Sequence, residues 1–137
     1  YHNNADGTFT HSDLDTVLPA VGNSSAAWGD YDNDGWLDIL LTGDPGDSAP
    51  RVSKIYHNDN GTQFSDSGAS LTGVGFSSAS WADYDNDGDL DIFVANSGVA
   101  PELYINRGNG RFDQRALSDA PAGSGGLDGE FGHSVPE

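Results

Sequence analysis

The chain has no cysteine, so it has neither a disulfide framework nor a thiolate ligand or nucleophile. It has only 5 basic residues, and no apolar run approaches the roughly 20 residues that a membrane span needs. The shortage of Lys and Arg argues against nucleic acid as a partner, because phosphate contacts require clustered basic side chains. We therefore expect a chain that neither spans a membrane nor binds nucleic acid.

Methionine is also absent and apolar residues make up only 35 % of the chain, whereas glycine is abundant, with 19 of 137 residues. This composition favours short strands joined by turns over long amphipathic helices. The chain begins at Tyr1 rather than Met, and we expect it to be a mature product or an excerpt of a longer protein.

Acidic residues are numerous and unevenly placed. The formal charge is −17, and 9 of the 22 acids lie in two nine-residue windows, 30–38 and 83–91. Such crowding is self-repelling unless a cation neutralises it. Two divalent cations would change the formal charge from −17 to −13.

The two windows belong to an internal repeat. Residues 21–43 match residues 74–96 at a constant offset of 53, including DYDNDG in both copies. A second block recurs three times as YHNN at 1–4, YHND at 56–59 and YINR at 104–107, each time followed by a Gly and then a Phe. Self-similarity at such a period is the signature of a repeat architecture.

The residue pattern of each unit predicts four short strands. In the first complete unit these are Ser24–Trp28, Leu37–Leu41, Val52–Tyr56 and a strand around Phe64. In the second they are Ser77–Trp81, Leu90–Val94, Glu102–Ile105 and a strand around Phe112. Four antiparallel strands in about 50 residues are typical of a β-propeller blade. The predicted fold is all-β, with about two and a half propeller-like blades forming an incomplete propeller or an open repeat array.

The register predicts four segments. Residues 1–20 form the C-terminal half of a first repeat, and 131–137 begin a further one. Between them lie two complete repeats, 21–73 with the acidic loop 30–38, and 74–130 with the acidic loop 83–91. The partial units at both ends predict contacts with neighbouring repeats of a longer parent chain or with other copies of this chain.

The acidic loops have the chemistry of a Ca²⁺ site. Carboxylates at positions 1, 3, 5 and 9 can converge on one ion, and Gly35 and Gly88 at position 6 permit the sharp turn. The carbonyl of position 7 is a further candidate ligand. The predicted ligands are Asp30, Asp32, Asp34, Trp36 and Asp38 in one loop, and Asp83, Asp85, Asp87, Asp89 and Asp91 in the other. We expect two Ca²⁺ ions, one for each loop.

An EF-hand is the obvious alternative for this pattern. That loop requires a bidentate Glu at position 12, where this chain has Leu41 and Val94. The flanking segments also read as strands rather than helices, so the EF-hand is excluded.

Taken together, AWGDYDNDGWLDILLTG, SWADYDNDGDLDIFVANSG, the YHNN and YHND blocks and FGHSV resemble the FG-GAP/VCBS repeats of integrin-α-type β-propellers and secreted bacterial proteins. The resemblance implies that each acidic loop joins the first two strands of a blade and holds Ca²⁺ for a structural purpose. It also implies an extracellular, secreted or cell-surface location.

Other conspicuous residues have simpler interpretations. Trp28 and Trp81 occupy equivalent positions, and we expect both to pack in the core. Trp36 should be exposed, which hints at a glycan or protein ligand. His2 and His57 share one repeat position, which favours a scaffold role over catalysis. Glycosylation sequons are present at Asn23 and Asn60.

The sequence therefore predicts a calcium-stabilised structural or adhesion module without catalytic activity. No nucleophile elbow is present, and carboxylates bound to a cation stay ionised, which is the wrong state for a general acid. The alternative is a scaffold segment of a larger secreted enzyme or carbohydrate-binding lectin, whose active residues lie elsewhere.

Overall fold

A computed structural model describes residues 1–11, 17–98 and 100–117, with the side chain of Ala116 excepted. The segment 131–137, predicted to begin a further repeat, lies outside the described residues. Within the described part of the chain the fold is all-β, with ten strands and no helix. These strands form three antiparallel sheets that do not close into a barrel. The predicted all-β class is confirmed, and the open sheets are consistent with the predicted incomplete propeller or open repeat array.

The first sheet is a two-stranded hairpin of β1 (His2–Asn3) and β2 (Phe9–Thr10). It corresponds to the third and fourth strands of the predicted partial unit. Its turn is held locally, since the Asp6 side chain accepts a hydrogen bond from the Thr8 backbone at 2.9 Å.

The second sheet contains four consecutive strands in the order of the chain. They are β3 (Gly22–Gly29), β4 (Asp38–Asp44), β5 (Val52–Asn58) and β6 (Phe64–Asp66). Every neighbouring pair is antiparallel. Strand β4 is buried from Asp38 to Gly43, as expected for an apolar strand covered on both faces.

The third sheet repeats this arrangement. It contains β7 (Ser77–Ala82), β8 (Asp91–Asn96), β9 (Glu102–Asn106) and β10 (Phe112–Ala116), again paired in chain order. The small residues of the first strands allow β3 and β7 to lie side by side. The Ser25 hydroxyl there accepts a hydrogen bond from the Ala79 backbone at 3.1 Å.

The main hydrophobic core lies between the two four-stranded sheets. The second sheet and its acidic loop contribute Tyr31, Leu40 and Ile55, and the third sheet with the segment before it contributes Val74, Ala79, Ile92, Val94 and Tyr104. A smaller cluster of Ile39, Leu41 and Tyr56 lies on the opposite face of the second sheet, where Val17, Leu18 and Val21 pack against it.

The two equivalent tryptophans have different environments. Trp81 packs against the main core and stacks on Tyr31, with ring centroids 6.4 Å apart. Trp28 is 61 % exposed and has only Phe64 as an aromatic neighbour in the described residues, at 6.1 Å. The expectation that both pack in the core is wrong for Trp28, because within residues 1–11, 17–98 and 100–117 no ring like that of Tyr31 stacks on it.

The described residues contain no helix that is long and apolar enough to cross a membrane.

Candidate metal centres

Each acidic loop connects the first and second strands of its four-stranded sheet. Residues 30–37 link β3 to β4, and residues 83–90 link β7 to β8. Gly35 and Gly88 have φ values of +92° and +95°, a conformation that side chains with a Cβ rarely adopt. The glycine at position 6 therefore makes the tight curl that the sequence predicted.

The first carboxylate of each loop binds the backbone of the same loop. Asp30 accepts hydrogen bonds from the backbone N–H groups of Asp34 at 3.1 Å and Gly35 at 2.9 Å. Asp83 accepts the corresponding bonds from Asp87 at 3.1 Å and Gly88 at 3.2 Å. The chain is thereby wound around the position-1 side chain in the same way in both repeats.

The last carboxylate connects the loop to the third strand of its sheet. Asp38 is fully buried and accepts hydrogen bonds from the backbone N–H groups of Tyr31 at 3.1 Å and Asn58 at 2.8 Å. Asp91 makes the equivalent pair with Tyr84 and Asn106, both at 2.8 Å. Each of these carboxylates is thus fixed in place by two backbone donors.

The carboxylates converge in both loops. Ligand atoms within 4.8 Å of one another come from three groups of residues: Asp30, Asp32 and Asp34; Asp32, Asp38 and His57; and Asp83, Asp85 and Asp91. Asp87 stands outside these groups, and its Oδ1 accepts a hydrogen bond from the Asp89 backbone at 3.0 Å. The carbonyls of Trp36 and Asp89 stay predicted ligands.

His57 is a site residue that the sequence reasoning assigned only to the scaffold. Its Nδ1 is buried, lies 3.3 Å from Asp32 Oδ2 and 3.4 Å from Asp38 Oδ1, and makes no hydrogen bond. The equivalent position in the second repeat is Ile105, a buried aliphatic residue. The two loops therefore have Asp at the same four positions, but the third strand places a histidine against the first loop and an isoleucine at the equivalent position of the second.

Crowding of carboxylates changes the proton affinity of the site. Burial raises the pKa of Asp38, with Asp32 adding to the effect, although the N–H groups of Asn58 and Tyr31 oppose it. Desolvation, followed by the charges of Asp87, Asp91 and Asp83, raises the pKa of Asp85. Burial and nearby carboxylates also raise the pKa of Tyr31 to about 12. A bound cation would favour the ionised carboxylates and oppose the shifts at Asp38 and Asp85.

The two loops are also connected to each other. The Asn33 side-chain amide donates to Asp89 Oδ1 at 2.9 Å, and the Asn106 amide donates to the Tyr31 carbonyl at 2.8 Å. Asn106 thus joins the third strand of the third sheet to the acidic loop of the second sheet. Through these two bonds the loop of one repeat is held by residues of the next repeat.

Trp36 is 43 % exposed, as the sequence predicted. One face of its ring lies against the turn at Gly61, where an added Cβ would come within 2.6 Å of the ring. The close approach explains why glycine, rather than a larger residue, occupies that turn. The Trp36 ring is therefore packed on one face and open to solvent on the other.

The donor set suits a hard divalent cation. In both loops the convergent side-chain atoms are carboxylate oxygens, with the imidazole of His57 added in the first. Oxygen-rich, flexible coordination is what Ca²⁺ prefers, whereas Mg²⁺ demands a smaller octahedron that retains waters. The residues present therefore fit a calcium ion.

The four-stranded antiparallel sheets, stacked face to face with an acidic loop between their first two strands, define a β-sheet repeat protein of the propeller-blade type. The family description FG-GAP-like repeat matches residues 1–41, 41–94 and 83–132. The chain belongs to this FG-GAP-like repeat family. Comparisons with curated proteins and with solved structures found no match.

Proposed function

We propose that this chain is a calcium-stabilised structural or adhesion module that works outside the cell without catalytic activity. The observation that carries the proposal is the duplicate geometry of the loops. In each repeat, three carboxylates converge within 4.8 Å around a backbone curl that the position-1 Asp holds in the same way. Both copies of the repeat keep the convergent carboxylates and the same backbone curl, which supports a common ligand.

The ions would be structural. Asp32 and Asp85 belong to the convergent groups and, among the hydrogen bonds of the described residues, accept none from a backbone N–H of their own loop, so their carboxylates can turn toward a cation. Asp30, Asp34 and Asp38 would complete the first site, and Asp83, Asp87 and Asp91 the second. A bound Ca²⁺ supplies positive charge that neutralises the crowded loop and binds it to the sheet.

The chemistry of the acidic loops also supports an extracellular location and a role without catalysis. Extracellular calcium modules bind the ion with dissociation constants of about 10⁻⁴–10⁻³ M, which suits fluids rich in calcium. Carboxylates that coordinate calcium stay ionised and cannot act as general acids. A chain of charge −17 would also be neutralised in part by two ions. These points favour a secreted or cell-surface module whose partners are proteins or glycans.

Isothermal titration calorimetry of calcium-free protein tests the proposal. We expect two equivalents of Ca²⁺ for the wild-type chain, one each for Asp32→Ala and Asp85→Ala, and none for the double variant. Because the ion binds only the folded state, saturating calcium should also raise the melting temperature.

Asp47→Ala is the matched control, since Asp47 is an exposed acid of the loop between β4 and β5 and should leave both equivalents intact. Two equivalents of calcium bound by the Asp32→Ala, Asp85→Ala double variant would refute the assignment. Magnesium at the same concentration should raise the melting temperature less than calcium does.

A further inference from the structure

The outer face of the third sheet carries apolar residues at the positions that form a buried interface elsewhere in the chain. In the second sheet, Tyr31, Leu40 and Ile55 are buried against the third sheet. Their equivalents in the third sheet, at offsets of 53, 53 and 48 residues, are Tyr84, Phe93 and Leu103. These residues line one apolar groove with Ala82 and Leu117, and we name this surface the Tyr84 face.

The Tyr84 face is partly open where its counterpart is closed. Tyr84 is 51 % exposed and Phe93 37 %, against 7 % for Tyr31 and 0 % for Leu40, whereas Leu103 is buried like Ile55. No polar residue takes the place of the aromatic and aliphatic side chains, although that is the usual adaptation of a surface that stays in water. The side chains of the Tyr84 face are therefore of the kind that is buried at the equivalent positions of the preceding repeat.

The buried interface also shows which residues pack against the loop Tyr. Tyr31 meets two aromatic residues of the next repeat, Trp81 at 6.4 Å and Phe112 at 6.1 Å, and these two rings lie 6.4 Å from each other. A loop Tyr from one repeat thus completes a three-ring cluster with a Trp and a Phe of the next. Such aromatic contacts contribute beyond the area they bury.

The Trp and Phe half of the cluster is also present on this chain without its Tyr. Trp28 and Phe64 are the repeat equivalents of Trp81 and Phe112, and their rings lie 6.1 Å apart. Trp28 is 61 % exposed even though Tyr1 and His2 of the first hairpin line the groove beside it. We name this second surface the Trp28 face.

We propose that the Tyr84 face binds the Trp28 face of a second copy of this chain, so that Tyr84 completes the ring cluster with Trp28 and Phe64 of its neighbour. The contact is heterologous, because two different surfaces meet. Each dimer therefore keeps one free face of each kind and can extend. The partner is a second copy because the chain itself carries both halves of the cluster.

One position limits how closely the faces approach. Gly29 lies directly under Trp81 in the buried interface, where an added Cβ would come within 2.6 Å of the ring. The equivalent residue of the Tyr84 face is Ala82, whose methyl group keeps the incoming Trp28 ring further out. Self-association is thus weaker than the internal contact, and Ala82→Gly is expected to strengthen it.

Sedimentation velocity in saturating calcium tests the proposal, over protein concentrations of about 10 μM to 1 mM that are suited to weak association. The wild-type chain should show concentration-dependent association. Tyr84→Ser and Trp28→Ser should each weaken it about tenfold or more, because each removes one half of the cluster. Phe76→Ser is the matched control, since Phe76 is exposed outside both faces and its loss should change nothing.

Mixing the two variants gives the decisive result. The Tyr84→Ser chain keeps an intact Trp28 face and the Trp28→Ser chain keeps an intact Tyr84 face, so the mixture should form a one-to-one dimer that does not extend. A wild-type chain that stays monomeric throughout the series would overturn the proposal. Association that neither variant weakens, or a mixture that stays monomeric while the wild type associates, would do the same.

Discussion

Asp38 and Asp91 connect three segments of their repeats at once. Each carboxylate accepts a backbone hydrogen bond from the start of its acidic loop and another from the end of the third strand. Both side chains are almost completely buried. A buried carboxylate in such a position organises the loop even before a cation binds.

Replacing Asp38 by Asn should therefore destabilise the fold with or without calcium. The amide keeps one acceptor oxygen but points an N–H₂ group at the other backbone donor, which stays buried and unsatisfied. We expect a loss of about 1–3 kcal/mol in the free energy of unfolding, measured by urea denaturation in EDTA. Asp113→Asn, at an exposed ion pair with Arg107, should change it by less than about 0.5 kcal/mol. Equal stability of the Asp38→Asn variant and the wild type in EDTA would contradict this role.

The sequence located the carboxylates of the site but missed their partners on the third strand. The Asp pattern is local, with all its members inside nine residues, so spacing alone predicts that they meet. His57 and Asn58 come about twenty residues later and reach the loop only because β5 pairs with β4. A signal for Asn58 existed, since Asn3, Asn58 and Asn106 stand at the same place in all three Tyr blocks. The contact of this Asn with the last Asp of the loop, however, can be inferred only when the register of the sheet is known.

At the scale of elements, the contact between the two four-stranded sheets is centred on aromatic rings. Trp81 of β7 contacts both Tyr31 of the preceding acidic loop and Phe112 of β10, and these two rings also contact each other. The strands themselves were predictable from alternation, turn residues and the repeat. The environment of each Trp was not, because equivalent positions in a repeat are buried only where a neighbouring repeat covers them.

Trp28 and Trp81 therefore form a natural pair for comparison. We expect Trp81→Ala to lower the free energy of unfolding by about 2–4 kcal/mol, since it removes a partly buried ring from the contact between the sheets. Trp28→Ala should cost less than about 1 kcal/mol at concentrations where the chain is monomeric, because its ring is mostly in water. Denaturant unfolding in calcium measures both. Similar losses for the two variants would show that Trp28 is also packed.

At the scale of the whole molecule, stability reflects a competition between protons and calcium for the same carboxylates. The raised pKa values of Asp38 and Asp85 mean that the folded chain takes up protons at a pH where the unfolded chain has not yet done so. In EDTA, these two carboxyl groups should therefore make the folded state more stable as the pH falls from 7 to 5, a range above the titration of Asp6 and Asp66, whose pKa values are lowered. In saturating calcium the same protons displace the ion, and stability should decrease.

Melting temperatures at pH 7 and pH 5 in each condition test this reversal. We expect the change between the two pH values to have opposite signs in EDTA and in calcium. The Asp32→Ala, Asp85→Ala double variant provides the control, because calcium should no longer alter its response. The same sign in both conditions for the wild type would mean that the carboxylates do not bind the ion.

Strand order within the sheets has a consequence for how the chain forms. In all three sheets, every hydrogen-bonded neighbour is also a neighbour in sequence, so no pairing waits for a distant part of the chain. Low contact order speeds folding, because short loops cost little entropy to close. Each repeat can thus assemble its own sheet as it leaves the ribosome, with the next repeat added onto a finished surface. The repeats are then added to the array in the order in which they are synthesised. A chain under translation therefore exposes at most one incomplete sheet at a time.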